Sequence, residues 1–459
     1  MNKREFLAAG GAVPLMLAGC GGSGSGSAPV RLVNASVGYP ALGFMDESTQ
    51  ATSTDVLYGY ASPFENVQAG TVDITLTIGG QAATSAQTRT IAKDSRYSLI
   101  AYGYVNELKS VLITESTTAP DTGKANINVL NTSVDIGAVD VYLSTSKATP
   151  YTTLIASSVS GVQQSAFSPT LPGSYYITVV GANSVARNIS DVRFQTPVAI
   201  TFVDQEILTI ILTPGASGTL ANAILLTQGT AGGATNATVP YANLTARLRA
   251  VTAVPGMSAQ VVGQNAALTT PSFNILAPSS VPLYSKYYVV NTGTPPVVTV
   301  DGNAVSVSMD VVDANGNVTG TTAGTLAAGG DYTLLVYLDA TSGSPVAKLI
   351  EDNNTAPVTS QGVKFRLINL ASDNRGLQLS MAVNSISVAT NVPYGTASTY
   401  TEVTGVPQST ASVANVLNGP STIATISQVM TVQNIFTDIV VSVPSSGQAL
   451  NFFLSSTGT

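Results

Sequence analysis

Histidine and tryptophan are absent from this 459-residue chain, cysteine occurs once, and only 9% of the residues are charged. Without His there can be no Ser-His-Asp or Cys-His nucleophile arrangement, and the commonest metal ligand is missing. One Cys excludes an intrachain disulfide, so the domains must rely on their cores. The charge content is far below the roughly 25% of an average soluble protein, so Thr, Ser, Asn and Gln must do most of the wetting. A net charge of −7 and a pI near 4.6 lack the basic face that a nucleic-acid partner requires. Downstream of the N-terminus no apolar run approaches the roughly 20 residues that span a bilayer as a helix.

What is present begins with an ordered N-terminal signal. Asn2-Lys3-Arg4 supplies a basic start, Phe6 to Leu17 an apolar stretch too short to span a membrane, and small residues lead to Cys20. The segment resembles the bacterial lipoprotein lipobox, in Leu17-Ala18-Gly19-Cys20. That resemblance implies removal of residues 1–19, acylation of Cys20, and a membrane partner held through lipid. Several acyl chains hold firmly, at roughly 0.8 kcal/mol per buried CH₂. Residues 20–29 read as lipidated Cys plus a Gly/Ser tether, since Gly21-Gly22-Ser23-Gly24-Ser25-Gly26-Ser27 offers nothing to a core. Lys3-Arg4-Glu5-Phe6-Leu7 also resembles a twin-arginine motif with Lys in the first position, which leaves the export route open. Gly21 rather than Asp after the Cys implies, by resemblance to lipoprotein sorting in double-membraned bacteria, the outer membrane.

The mature chain reads as nearly all β. Val72, Ile74, Leu76 and Ile78 alternate with polar residues up to Gly79-Gly80, and Val305, Val307, Met309 and Val311 do so before Asp313-Ala314-Asn315-Gly316. Self-comparison yields four opening strands: Arg31-Leu32-Val33-Asn34, Asn128-Val129-Leu130-Asn131, Arg249-Ala250-Val251-Thr252 and Arg366-Leu367-Ile368-Asn369. A Ser-x-aromatic step follows each after 31 to 37 residues, at Ser62-Pro63-Phe64, Ser165-Ala166-Phe167, Ser285-Lys286-Tyr287 and Ser398-Thr399-Tyr400. Tyr97-Ser98-Leu99-Ile100-Ala101-Tyr102 also matches Tyr332-Thr333-Leu334-Leu335-Val336-Tyr337. These repeats predict four tandem immunoglobulin-like β-sandwich modules, over 30–120, 121–236, 237–357 and 358–459. Thr118-Ala119-Pro120 and Thr355-Ala356-Pro357 read as linkers, giving a semi-rigid string of beads.

Arg366 to Ser372 and Val392-Pro393-Tyr394-Gly395-Thr396-Ala397-Ser398-Thr399-Tyr400, with Tyr58-Gly59-Tyr60-Ala61-Ser62-Pro63-Phe64 repeating the second motif, carry a resemblance to the bacterial domain-of-unknown-function family numbered 4397. The resemblance covers modules one and four well and the middle two loosely. It implies secreted or surface-anchored β-sandwich repeats and no established chemistry.

Candidate sites are few. Asp204 with Glu206, and Glu351 with Asp352, are the nearest paired carboxylates of the kind glycoside hydrolysis uses. Only the first pair could share a strand face, and it reads as a solvated strand entrance. Asp313-Ala314-Asn315-Gly316-Asn317 could open a calcium loop, but the twelfth position is Gly324 rather than Glu, so a hairpin turn is expected. Tyr58, Tyr394 and Tyr400 read as core or corner residues, with a stacking surface for a sugar or peptide as the alternative. No catalytic residue, metal ligand or cofactor is predicted. The expected role is structural, adhesive or protein-interacting at the cell envelope; the alternative is a module binding a glycan or small ligand, with module three the best candidate. Cys20→Ser is expected to move the mature protein from the membrane to the soluble fraction, as read by fractionation and immunoblotting; retention in membranes after signal cleavage would contradict lipid anchoring.

Overall fold

A computed structural model describes residues 26–182, 191–215, 218–228, 238–254, 257–262, 272–273, 283–284, 287–291, 304–312, 317–355, 357, 363–371, 378–404, 411–429, 436–442 and 451–456. Cys20 and Asp313 to Gly316 lie outside the described residues. Strands dominate, and the one helical element among the described residues is a 3-10 turn at Val134–Ile136. Among the described residues eight sheets fall two by two along the chain.

Each couple contains one mixed and one antiparallel sheet. In the mixed sheet the opening strand runs parallel to a later strand, and a return strand lies antiparallel beyond it. The first couple uses Ser27–Asn34, Tyr97–Tyr102 and Lys109–Thr114. The second uses Ala125–Asn131, Ile207–Pro214 and Ala221–Gln228. The third uses Thr245–Thr252, Asp331–Leu338 and Pro345–Asp352, and the fourth Val363–Leu370, Phe436–Ser442 and Asn451–Ser456. The antiparallel sheets are built around Ala41–Asp46 with Gly70–Ile78, Val139–Ser144 with Gly173–Gly181, Ser258–Val262 with Ala304–Val312, and Leu379–Val383 with Ala411–Asn418. The parallel pairing departs from an immunoglobulin sandwich of two antiparallel sheets.

Alternation explains the inner faces. Val30, Leu32 and Leu99 meet Leu42, Phe44, Val72, Ile74 and Leu76 in one buried cluster. Ile127, Val129, Ile210 and Leu212 meet Val139, Val141, Ile177 and Val179 in another. Ile78 breaks the expected pattern at 43% exposure, because it sits at the Gly79-Gly80 turn, where both glycines have positive φ (55° and 78°), as a two-residue hairpin demands. Asn317 lies between Ala304–Val312 and Val318–Ala327, which pair antiparallel.

The outer faces of the mixed sheets do not face water. Val33, Ala35, Ile100 and Ile113 from the first couple pack with Leu130, Ile211, Ile224 and Leu226 from the second. Val251 and Leu335 of the third pack likewise with Ile368 and Leu370 of the fourth. The opening strands are therefore buried on both sides, and their near-continuous apolar runs are the expected signature of that environment. The string-of-beads arrangement is thus replaced by two face-to-face doublets, because apolar side chains on both strand faces need two covers. Truncating Ile211 to Ala should cost about 2–4 kcal/mol and raise amide exchange in Tyr97–Tyr102 as well as in Ile207–Pro214; a response confined to the second couple would show that the faces are not packed.

Candidate functional site

The recurring polar residues are where a function would be sought, and they hold corresponding positions in the couples. Arg31 lies on the same strand face as Val33, toward the neighbouring couple, and is 1% exposed. A buried guanidinium needs a partner, and Arg31 Nε donates to Ser98 Oγ at 3.0 Å and to Glu115 Oε1 at 2.8 Å. Its Cζ lies 4.7 Å from the centre of the Phe64 ring. Burial pushes the Arg31 pKa down, and the Glu115 carboxylate opposes the shift. Arg96 Nε also lies 2.7 Å from Glu115.

The third couple repeats this constellation at equivalent registers. Arg31 is opposite Ser98 and Arg249 opposite Thr333. The return strands then place Glu115 and Asp352 correspondingly. Arg249 Nε donates to Thr333 Oγ1 at 2.9 Å, and Thr333 Oγ1 donates to Asp352 Oδ2 at 2.6 Å. The Arg249 guanidinium carbon is 4.9 Å from the Tyr287 ring centre. In the fourth couple Arg366 stands 4.4 Å from the Tyr400 ring and reaches across the doublet to Asp352 Oδ1 at 2.7 Å. Asp352 thereby serves two couples and also accepts from the Tyr287 hydroxyl at 2.7 Å.

The second couple carries a neutral version. Asn128 stands at the Arg position opposite Thr209, and Gln228 at the acidic one. Gln228 is fully buried; its Nε2 donates to Thr209 Oγ1 at 2.8 Å and its Oε1 accepts from Ser116 N of the first couple at 2.8 Å. Charge is thus lost from both positions together, which avoids an unpaired buried ion. Asn128 Oδ1 is buried without a hydrogen-bond partner.

The other motif residues also have internal partners. Ser62, Ser165 and Ser398 each accept from the opening strand, at Leu32 N, Val129 N and Leu367 N (2.9, 3.0 and 3.1 Å). Asn34, Asn131 and Asn369 close a turn through Oδ1 and donate across the sandwich to Val56 O, Val159 O and Val392 O (3.1, 3.1 and 3.0 Å). Tyr97 and Tyr332 accept from Ala92 N and Ala327 N, both at 2.9 Å. Tyr58 OH meets Thr213 Oγ1 of the second couple at 2.7 Å, and Tyr394 OH donates to Leu338 O of the third at 2.7 Å. Gly59 and Gly395, next to those tyrosines, combine positive φ with close approach: a Cβ would lie 2.6 Å from Pro240 and 2.5 Å from the Tyr337 ring, respectively.

The carboxylate pairs do not converge. Asp204 and Glu206 occupy a turn rather than a strand. Asp204 accepts from Gly123 N at 2.6 Å and Glu206 from Val203 N at 2.9 Å; burial raises the Glu206 pKa. Glu351 is exposed while Asp352 is buried, as adjacent strand residues on opposite faces must be. Among the described residues no group of three or more His, Cys, Asp or Glu side chains could hold a metal. Glu115, Thr209 and Gln228 lie outside the sequence motifs. The Tyr97–Tyr102 match already held Ser98 against Thr333, and extending it along the return strand locates the acids.

Residues 28–142 match the family model "Domain of unknown function (DUF4397)". The match runs from Ala28, within the opening strand of the first couple, to Val139–Ser144 of the second, about a quarter of the chain. Two structures of the major pilin subunit of Bacillus cereus, BcpA, are 10% and 9% identical over 70% of this chain and 99% of theirs, with TM-scores of 0.14 and 0.13; similarity at that level carries no argument. No curated protein matches the chain.

Within the DUF4397 segment, Glu115→Gln should destabilise the first couple by about 3–5 kcal/mol, the usual cost of leaving a buried cation without its partner. Denaturant unfolding followed through the first couple measures it; a change under 1 kcal/mol, the range of surface pairs, would show that Glu115 does not hold Arg31.

Proposed function

We propose that the chain is a non-catalytic envelope protein with a structural or adhesive role, tethered to the outer membrane through lipid on Cys20. The observation that carries this reading is that the recurring polar residues are engaged inside the molecule. Arg31, Arg249 and Arg366 bond to side chains or carbonyls of their own chain, and the motif serines, asparagines and tyrosines described above do the same. A catalytic or ligand-binding constellation instead presents polar groups converging on an open space. In this molecule those groups converge on one another and on the joints between couples. Repetition of that arrangement multiplies length and surface, which suits a partner contacted over several couples.

The lipid tether belongs to this proposal through the Leu17-Ala18-Gly19-Cys20 sequence and the Gly/Ser stretch behind it. With an acidic, sparsely charged chain, the partner would be a protein or a surface polymer rather than nucleic acid.

The test is a set of producing cells that carry the full chain, chains truncated by one doublet, or none, compared for adhesion and envelope integrity. Graded loss with the number of doublets is expected. Loss traced to one couple, together with saturable glycan binding by the full chain that point substitutions in that couple abolish, would overturn the structural role in favour of ligand capture.

A further inference from the structure

The joints within and between the doublets are chemically different. Within each doublet the covered faces hold an apolar cluster, around Ile211 in one and Ile368 in the other, beside the buried arginine networks. Between the doublets no buried apolar cluster among the described residues crosses from one to the other. The chain passes between them at residues 242–244, after Thr238–Tyr241 and before Thr245–Thr252.

Polar groups close this joint. Asn243 is 2% exposed, and its Nδ2 donates to Arg193 O at 2.8 Å and Ala221 O at 3.1 Å, while its Oδ1 accepts from Thr245 N at 3.1 Å. Arg193 of the second couple lies within charge range of Arg247 of the third, and both interact with Asp331. Arg247 binds that carboxylate through two parallel bonds of 2.8 Å. Asn354 Nδ2 donates to Asp331 at 2.6 Å, and Thr219 of the second couple bonds to it as well. Asp191 and Arg249 add further charges of each sign around the same pair of guanidiniums. Burial, followed by the charge of Arg247, pushes the Arg193 pKa down to about 10.

A further polar contact lies within the second doublet, beside the segment that Gly218 of the second couple approaches. Lys364 of the fourth couple donates to Thr355 O at 2.7 Å and Thr355 Oγ1 at 2.6 Å. Burial pushes the Lys364 pKa down, and the charges of Asp135, Glu402 and Glu107 oppose the shift. Gly218 abuts this segment, where a Cβ would lie 2.7 Å from Thr355 Cα.

We propose that the chain is two doublets joined by a charge-latched hinge at residues 242–244, closed by Asp331, which bonds to Arg247 of its own couple and to Thr219 of the second. Apolar faces separate only with a large loss of buried surface. A joint of like-charged guanidiniums held by one carboxylate opens once that carboxylate is neutralised, since water then receives the freed charges. Opening moves the second doublet away from the first and lengthens the molecule.

Small-angle X-ray scattering on the full mature chain carrying Cys20→Ser tests this, with Asp331→Asn and Asn243→Ala compared against the parent. A larger radius of gyration is expected in both variants, with amide-exchange protection unchanged in Tyr97–Tyr102 and Ile207–Pro214 of the first doublet and in Thr245–Thr252 and Val363–Leu370 of the second. An unchanged radius in both would overturn the latch. So would an increase accompanied by lost protection in those strands, because the expansion would then be unfolding of a doublet rather than movement between two.

Discussion

Burial of the opening strand on both of its faces is the constraint on which the rest of the molecule depends. One face completes its own sandwich, at Leu32 and Val129, and the other completes the doublet, at Val33 and Leu130. A strand so placed cannot send a polar side chain to water from either side, yet position 31 and its equivalents carry Arg or Asn. The consequence is a local supporting set: a hydroxyl on the parallel strand, an acid or amide on the return strand, and an aromatic ring over the guanidinium. Desolvating an ion is tolerable only with such support. The low charge content of the chain is therefore misleading about where its charges sit. Several of them, including Arg31, Glu115, Arg249, Asp331, Asp352 and Arg366, are internal.

The repeat unit was legible because its residues have fixed geometric duties. A Ser that caps the opening strand, an Asn that bonds across the sandwich and a Gly that admits a neighbouring ring have few substitutes, so their spacing survives. All-β character was equally legible from alternation on the antiparallel sheets. The doublet was harder to read because Thr-Ala-Pro segments look like spacers, and linker chemistry carries no information about what the faces beside it cover. The warning was in the opening strands themselves. Ile207-Leu208-Thr209-Ile210-Ile211-Leu212 does not alternate, and a half-exposed strand would. Asp352 stands outside the general rule that charges are exposed, because its partners are two arginines from different couples.

The second couple shows how such a buried arrangement can change. Asn128 and Gln228 replace cation and anion at the two positions that face each other through Thr209, and Gln228 then gains a bond to Ser116 of the first couple. Neutral amides give up the ring contact and the charge attraction but also avoid the desolvation that burial imposes on both ions. The tandem chain thus holds two solutions to one packing problem, and the neutral one sits where the acceptor for Arg31 Nη2 is a backbone carbonyl, Thr227 O at 3.4 Å. The fourth couple reaches the equivalent carbonyl of the third, Glu351 O, through Arg366 Nη1 at 3.2 Å.

The parallel pairing has a consequence in time as well as in space. Arg31 cannot meet Ser98 until 67 further residues are available, and it reaches Thr227 only across 196. Contacts so distant in sequence slow folding, and each sandwich stays open until the strand that pairs parallel with its opening strand is present. Even a finished first sandwich presents Val33, Ile100 and Ile113 as a bare apolar surface until Ile211 and Ile224 arrive to cover it. The first couple is therefore born adhesive toward other half-made chains, and the order of synthesis makes the second couple its natural shield.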